Sequence, residues 1–374
     1  MVDVETLKFP LASPYSTKGK LVSIHCHHSN GYSTSHKPDD RDVQIHIDYA
    51  SVLIGLNFKF DLAWLRRTGF NFEGKKIWDV QLAHFLLSGQ TAAFPSLNEV
   101  LEFYGFEQKL DVVKEQYWNK NIDTDQVPWE ILCEYGEYDC LGTYQCYLKQ
   151  LEAFRQQPEL FKLFKLQCQD LLVLLEMEWN GLKYNSKRCE EKSAEIGARI
   201  EEINGQLSSV YPDIRINFNS GDQLSAFLYG GTIVEEVREI IGFYKTGAKL
   251  GQPRFRVGIK EHLLPTLLAP LPRSELKKPG TYATDEGTLK KLKGTARAKG
   301  FVTLLLELAK LEKVRGTYYE GLNKLNREYA WPEGMLHPTY NQCNARTGRL
   351  SSSKPNGQNM SGEILEIFES QYDS

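Results

Sequence analysis

No stretch of this 374-residue sequence stays apolar for the roughly 20 residues that a membrane-spanning helix needs. No internal repeat and no low-complexity tail interrupts it. Cysteine is sparse and scattered: seven residues, at positions 26, 133, 140, 146, 168, 189 and 343, with no CxxC pair. An odd, dispersed set of this kind argues against a disulfide framework and against a zinc ribbon. The opening segment MVDVETLKFP carries two acids and lacks the basic start and apolar centre of a signal peptide, so a cytoplasmic location is expected.

What is present fits an ordinary globular chain. Hydrophobic residues make up 41% and charged residues 25%, and the length suffices for two domains with separate cores. The formal net charge of −3 hides an asymmetry. Between Lys245 and Arg315 there are sixteen Lys/Arg against six Asp/Glu, a local +10, which leaves −13 for the remainder. A basic block on an acidic body suits a polyanion partner for that region, and equally suits a solvated helical surface.

The first half alternates strand-like and helix-like segments. LVSIHCHH and VQIHI read as strands by period two, and ASVLIGLN reads as a buried strand handing over to a helix that starts near Asp61. The histidines at 25, 27 and 28 then sit on a strand, which favours a histidine face over a metal site. Helical patterns follow at WDVQLAHFLL, at SLNEVLEFYG and from about Pro128 to Gln156. Strands with helices laid on them predict an α/β domain over residues 1–155.

From Leu160 onward strand signals almost vanish, so residues 156–374 are expected to be mainly α-helical. LFKLFKLQCQDLLVLLEMEWNG reads as a long amphipathic helix closed by Gly181. Ser186 is placed to cap the next helix, and Asn219 or Ser220 to cap GDQLSAFLYGG. An irregular, basic, Gly/Pro-rich stretch follows from Tyr244, then a helix pair, DEGTLKKLKG and VTLLLELAKLEKVRGTYYEGLNKLN.

Three short pieces carry candidate chemistry. VDVET puts Asp3 and Glu5 on one face of a strand. GLNFKFDLAWLRR puts Asp61 where a strand meets a helix. CEYGEYDC puts Tyr135 and Asp139 four apart on a helix, hence side by side. Four carboxylates and a phenol suit two-metal phosphodiester cleavage, in which oxygen ligands hold two hard cations and a hydroxyl group orients water.

The order DVE, NFKFD, YGEYD resembles the DEDD superfamily of 3′–5′ exonucleases, in its tyrosine branch, because Glu134 stands where the histidine branch carries its catalytic residue. The resemblance implies an RNase H-like α/β layer with Asp3, Glu5, Asp61 and Asp139 as ligands for two Mg²⁺ or Mn²⁺ ions. It also implies that Tyr135 and Glu5 orient the water, and that Asn57 lies in the DNA-contacting segment.

The second half resembles the thumb and palm entry of family A DNA polymerases. LLEMEWNGLKYN, INFNSGDQLSAFLYG and LAKLEKVRGTYYEGL carry the likeness in part, and TGRLSSSKPNGQN matches its family motif almost letter for letter. In that role Lys313, Arg315 and Thr317 would grip phosphates without regard to sequence. Arg349 would reach minor-groove acceptors, and Asn356, Gln358 and Asn359 would meet sugars and base edges. The resemblance is to compact, phage-type members, for which the location would be the host cytoplasm.

Further expectations follow from the resemblance. The partners would be a single-stranded 3′ end and primer-template duplex. A long insertion at 231–280 would either meet a processivity factor or DNA, or be passive. The polymerase carboxylates and the fingers helix, which lie beyond the TGRLSS motif in that family, have no signature in MSGEILEIFESQYDS, so polymerisation would need a palm and fingers from a second polypeptide. The competing reading is a DNA-holding subunit of a split polymerase in which nuclease action is secondary.

Overall fold

The computed structural model describes residues 1–8, 13–108, 111–247, 250–360 and 362–371. Two residues of the basic stretch after Tyr244, at 248 and 249, lie outside these, as do residues 361 and 372–374 of the final segment. The chain forms two compact units, Met1–Arg188 with Leu322–Ser374, and Cys189–Gly321. The 155/156 position expected from sequence falls inside the first unit.

The first unit begins with an antiparallel sheet of β1 (Val2–Thr6), β2 (Leu21–His27) and β3 (Ser33–His36) in that order. In β1 the alternation is strict: Val2, Val4 and Thr6 are buried while Asp3 and Glu5 are less so. Helix α1 (Asp42–Tyr49) follows. It contains VQIHI, so that segment is a helix and not the strand expected. Val43 and Ile47, four apart, are its buried residues, a helical spacing that the period-two reading overlooked.

Strand β4 (Val52–Gly55) leads into α2 (Lys59–Arg67), and β5 (Lys76–Asp79), parallel to β4, leads into α3 (Val80–Leu87). Helix α4 (Leu97–Phe103) starts at a capping box in which Ser96 and Glu99 satisfy each other's backbone amides. After α5 (Val112–Gln116) come the two long helices, α6 (Trp129–Arg155) and α7 (Pro158–Asn180), the latter closed by Gly181 at φ 65°.

Two large cores lie in this unit, beside a smaller cluster of Val22, Val113, Val127 and Leu132 against which Tyr135 packs. One gathers Val2, Val4 and Ile24 with Phe58, Leu62 and Trp64 of the α2 region and Leu171 and Leu175 of α7. The other centres on Trp78, whose ring contacts Phe154, Phe161 and Phe164. The buried indole N–H of Trp78 donates to Gln150 Oε1 at 3.0 Å, and Gln150 Nε2 donates to the Val80 carbonyl at 2.9 Å, so the core leaves this polar pair satisfied.

Strand β6 (Leu182–Lys183) precedes α8 (Ser186–Ser208), where Asn185 Oδ1, and not Ser186, accepts from the Arg188 amide at 2.9 Å. The second unit continues with α9 (Gly221–Tyr229), capped by Ser220, then β7 (Gly231–Phe243) and β8 (Pro253–Leu264). These two strands form a long antiparallel ribbon with a bulge between Ile240 and Gly242. The sequence expectation of a mainly helical region in which strand signals almost vanish after Leu160 misses this ribbon.

One face of the ribbon carries Val234, Ile240, Phe243, Phe255, Val257 and Ile259, all substantially exposed. Helices α10 (Glu286–Leu289) and α11 (Ala296–Val314) complete the unit around Ile203, Leu207, Phe227, Leu228, Leu305 and Leu308. A π-helical turn, Arg315–Tyr319, joins α11 to α12 (Glu320–Glu328).

The chain then returns to the first unit as β9 (Met335–Leu336), paired with β6, and the β10 (Thr339–Asn341)–β11 (Ser351–Ser353) pair. No helix among the described residues is long and apolar enough to cross a membrane.

Candidate functional site

Strand β1 and helix α6 build the site. Asp3 and Glu5 project from the same face of β1, and α6 brings Asp139 to them. One oxygen from each of these three carboxylates lies within 4.8 Å of the others. Among the described residues this is the one His/Cys/Asp/Glu group with spacing that can hold a metal ion. Three carboxylates and no nitrogen or sulfur donor form a hard-oxygen set, which fits Mg²⁺, Mn²⁺ or Ca²⁺ and not a thiophilic metal.

Asp61 and Tyr135 stand beside that cluster in different ways. Asp61, in the first turn of α2, is buried, and its Oδ1 accepts from the Val4 amide at 3.1 Å. It thus pins the middle of β1 between Asp3 and Glu5. Burial first, and then the charge of Asp3, raise the Asp61 pKa well above the ordinary carboxylate range. The Tyr135 phenol is raised too, by burial and then by Glu5 and Asp139, so it stays a protonated hydroxyl among carboxylates. That hydroxyl reaches Asp111 Oδ1 at 3.4 Å, and its ring meets Trp118 edge-on.

Two supporting arrangements were not foreseen from the sequence. Asp79 ends β5 and caps α3, accepting from the Gln81 amide at 2.8 Å and the Leu82 amide at 3.1 Å. The same carboxylate accepts from the Phe58 amide at 2.8 Å, and the Asn57 amide also bonds it. Asp79 therefore fixes the turn that delivers Asp61. Its signal was readable: an Asp directly before the apolar run VQLAHFLL is an N-cap pattern.

The second arrangement lies on β2, beside β1. His25, paired in register with Asp3, is buried and pushed down to about 3 by burial and then by His36, so its ring is neutral. Its Nδ1 and Nε2 each lie 2.8 Å from a hydroxyl, of Ser35 and Ser23 respectively. Ser35 donates to Glu137 Oε1 at 2.8 Å, so it accepts from Nδ1–H, and Nε2 accepts from Ser23. This chain ties β2 and β3 to α6 within one turn of Tyr135 and Asp139. It also bears out a structural histidine face for β2.

The residues expected to grip DNA fall in both units. Lys313 ends α11, while Arg315 and Thr317 lie in the π-helical turn. Arg315 Nε donates to Ser193 Oγ at 3.1 Å and pairs with Glu320 at 2.8 Å, so part of its guanidinium is already engaged within the second unit. In the first unit, Arg349 is exposed on the loop between β10 and β11. Asn356 caps the turn Gly357–Asn359, which contains Gln358 and Asn359, its Oδ1 accepting from the Gln358 amide at 3.1 Å. Asn57 has φ 52° and lines a cavity of about 200 Å³ with Tyr15, Lys59, Trp331 and Lys354.

Comparison with known proteins agrees with this architecture. Residues 248–370 match the family model for DNA polymerase family A. DNA polymerase I of Synechocystis sp. is 28% identical over 309 residues, covering 81% of this chain and 26% of that protein. The DNA polymerase of Bacillus phage SP01 is 22% identical over 317 residues, 82% of this chain and 33% of that protein. DNA polymerase I of Bacillus subtilis is 25% identical over 300 residues, 79% of this chain and 28% of that protein. The chain thus spans about a quarter to a third of the curated relatives it matches. Among solved structures, the POL domain of Pol1 from M. smegmatis in complex with DNA primer-template and dNTP superposes with a TM-score of 0.69 at 18% identity, covering 98% of this chain and 54% of that one. The fold is that of a family A polymerase, with helices and strands mixed.

Proposed function

Because this chain carries a family A DNA polymerase segment and is a homologue of DNA polymerase I, we propose that residues 1–155 act as its 3′–5′ exonuclease, an RNase H-like layer that removes nucleotides from a single-stranded DNA 3′ end. The observation that carries the reading is the convergence of Asp3, Glu5 and Asp139 within 4.8 Å, with the Tyr135 hydroxyl among their charges.

Asp3, Glu5 and Asp139 would hold divalent cations, Mg²⁺ or Mn²⁺, with Asp61 assisting from the edge of β1. When bound, such ions lower the pKa of water and stabilise the departing 3′ oxygen. The protein's own part is geometric. Tyr135 and Glu5 hold the water in line with the phosphorus, Asp61 and Asp79 keep β1 and α2 fixed, and the His25 chain fixes α6. Hydrolysis then breaks the phosphorus–O3′ bond, giving a shortened strand with a 3′ hydroxyl and a nucleoside 5′-monophosphate.

The family match over 248–370 favours a second, concurrent role. It contains Lys313, Arg315, Thr317, Arg349, Asn356, Gln358 and Asn359, which would bind primer-template DNA, so the chain would hold duplex as well as trim single-stranded 3′ ends.

The test uses purified chain and 5′-labelled single-stranded DNA. Shortening from the 3′ end in Mg²⁺ or Mn²⁺, lost in EDTA and lost in Asp139→Asn, is the expected result. Full activity in EDTA overturns the metal assignment, and no shortening with either metal overturns the exonuclease.

A further inference from the structure

The β7–β8 ribbon has two unlike faces. Its cross-strand register, with side chains alternating along each strand, puts Glu235 opposite Lys260 and Glu239 opposite Arg256 on one of them. On that face His262 Nε2 also lies 3.1 Å from Glu235 Oε2, so the charges are matched within the chain. The other face holds Val234, Ile240, Phe255, Val257, Ile259 and Leu263, between 48% and 81% exposed. Ile233 and Leu264 anchor the ribbon at its base, against Ala226.

A pair of strands built this way calls for a cover. Two strands alone are marginal in water, and six large apolar side chains on one side must be hydrated as well. Together they present roughly 700 Å², above the roughly 300–600 Å² of the largest patch on an ordinary monomer. Two such faces pressed together bury about 1,400 Å², within the range of stable, specific interfaces.

Two charges within the apolar face decide what covers it. Glu236 and Arg238 are exposed and hold successive positions at its middle, opposite Ile259 and Val257 respectively. Consider a second copy turned about a two-fold axis that lies between the faces and runs across the strands. Its Arg238 then lies over Glu236, and its Glu236 over Arg238. The same turn sets Ile259 over Val257 and Val234 over Ile240, while Glu261 falls near an end, where its carboxylate stays in water. A purely apolar partner would leave Glu236 and Arg238 unmatched across the interface. A patch that complements itself under a two-fold rotation is the pattern of an isologous dimer.

We propose that this chain forms a two-fold dimer through the apolar face of the β7–β8 ribbon. The two ribbons stack as a four-stranded sandwich, closed by reciprocal Glu236–Arg238 pairs. The proposal is independent of the exonuclease reading.

The experiment is sedimentation velocity of the full chain over a concentration series. The parent should sediment as a dimer, at twice 42.8 kDa, and dissociate on dilution. Val257→Glu, Glu236→Arg and Arg238→Glu should each weaken the dimer by about tenfold or more, because each sets a charge against an apolar surface or against its like. Glu236→Arg combined with Arg238→Glu should restore the parent's affinity. All three positions are exposed, so every variant should keep the parent's circular dichroism. A parent that is monomeric throughout the series overturns the dimer and leaves the face to a different protein. A dimer that Val257→Glu leaves intact places the contact elsewhere and overturns it too. A combined variant as weak as the single ones overturns the reciprocal pairing, and with it the two-fold stack.

Discussion

The imidazole of His25 occupies the space that a side chain at Gly136 would need: a Cβ built there would lie 2.2 Å from His25 Cδ2 and 2.3 Å from Cγ. The ring cannot yield easily, because Ser23 and Ser35 hold both its nitrogens. Gly136 follows Tyr135, so α6 reaches the carboxylates only because position 136 has no side chain. Gly136→Ala should cost about 1–3 kcal/mol, as overpacking does. It should also lower hydrolysis by pushing Tyr135 and Asp139 off the β1 face. Urea unfolding and single-strand cleavage check the two effects together; an unchanged midpoint would mean that another contact sets the position of α6.

Asp61 and Asp139 should separate stability from chemistry. Asp61→Ala leaves the buried Val4 amide without its acceptor, at about 1–3 kcal/mol. Asp139 is only half-buried, so Asp139→Ala should leave the urea midpoint within about 0.5 kcal/mol of the parent. Both should reduce cleavage by about a thousandfold or more, Asp139→Ala by removing a carboxylate of the cluster and Asp61→Ala by releasing the strand that carries Asp3 and Glu5. Equal stability of the two variants would show that Asp61 does not anchor β1.

Tyr135→Phe keeps the ring against Trp118 and deletes only the hydroxyl. Cleavage should fall by less than in Asp139→Ala, because the carboxylates are intact and only the positioning of water is impaired. A loss as large as that of Asp139→Ala would assign the hydroxyl a share in holding the cations.

Acid should unfold the first unit through its histidines. The buried His25 titrates at about 3 when folded and near 6.5 when exposed. Below 6.5 the unfolded chain therefore binds a proton that the folded chain refuses, and stability falls as pH drops toward 3. His27, His28, His84 and His337 are also lowered by burial and add in the same direction. His25 alone should remove on the order of 3 kcal/mol between about pH 7 and about pH 4. Asp61 and Asp79, raised by burial, act in the opposite direction, so the test compares urea midpoints of the parent and of His25→Gln at both values; an equal pH dependence in the two would require a His25 that charges within the fold.

The carboxylates were legible because strand period and helical spacing are local: Asp3 and Glu5 share a face of β1, and Tyr135 and Asp139 share one of α6. The supports were not, because they join residues far apart in sequence. Nothing in LVSIHCHH alone indicates that His25 will face Gly136. VQIHI misled because its β-branched residues suit a strand, while Val43 and Ile47 are buried at a spacing of four. The β7–β8 ribbon escaped notice because its apolar face is exposed and its charges are interleaved, so no buried alternation marked it.

The first unit closes only when the chain comes back to it. Ser13 accepts from the Trp331 indole at 3.2 Å, and the Thr17 amide donates to the Ala330 carbonyl at 2.7 Å. The side chains of Lys59 and Glu178, paired and nearly buried, both bond the backbone of Tyr340. A buried ion pair is tolerable only when its remaining hydrogen-bonding capacity is met. On a ribosome, residues 330–340 emerge only after the whole of Cys189–Gly321 has been made. The carboxylate face is therefore translated well before its brace, and a nascent chain stalled before Trp331 would carry Asp3, Glu5 and Asp139 without the clasp that holds α2 against α7.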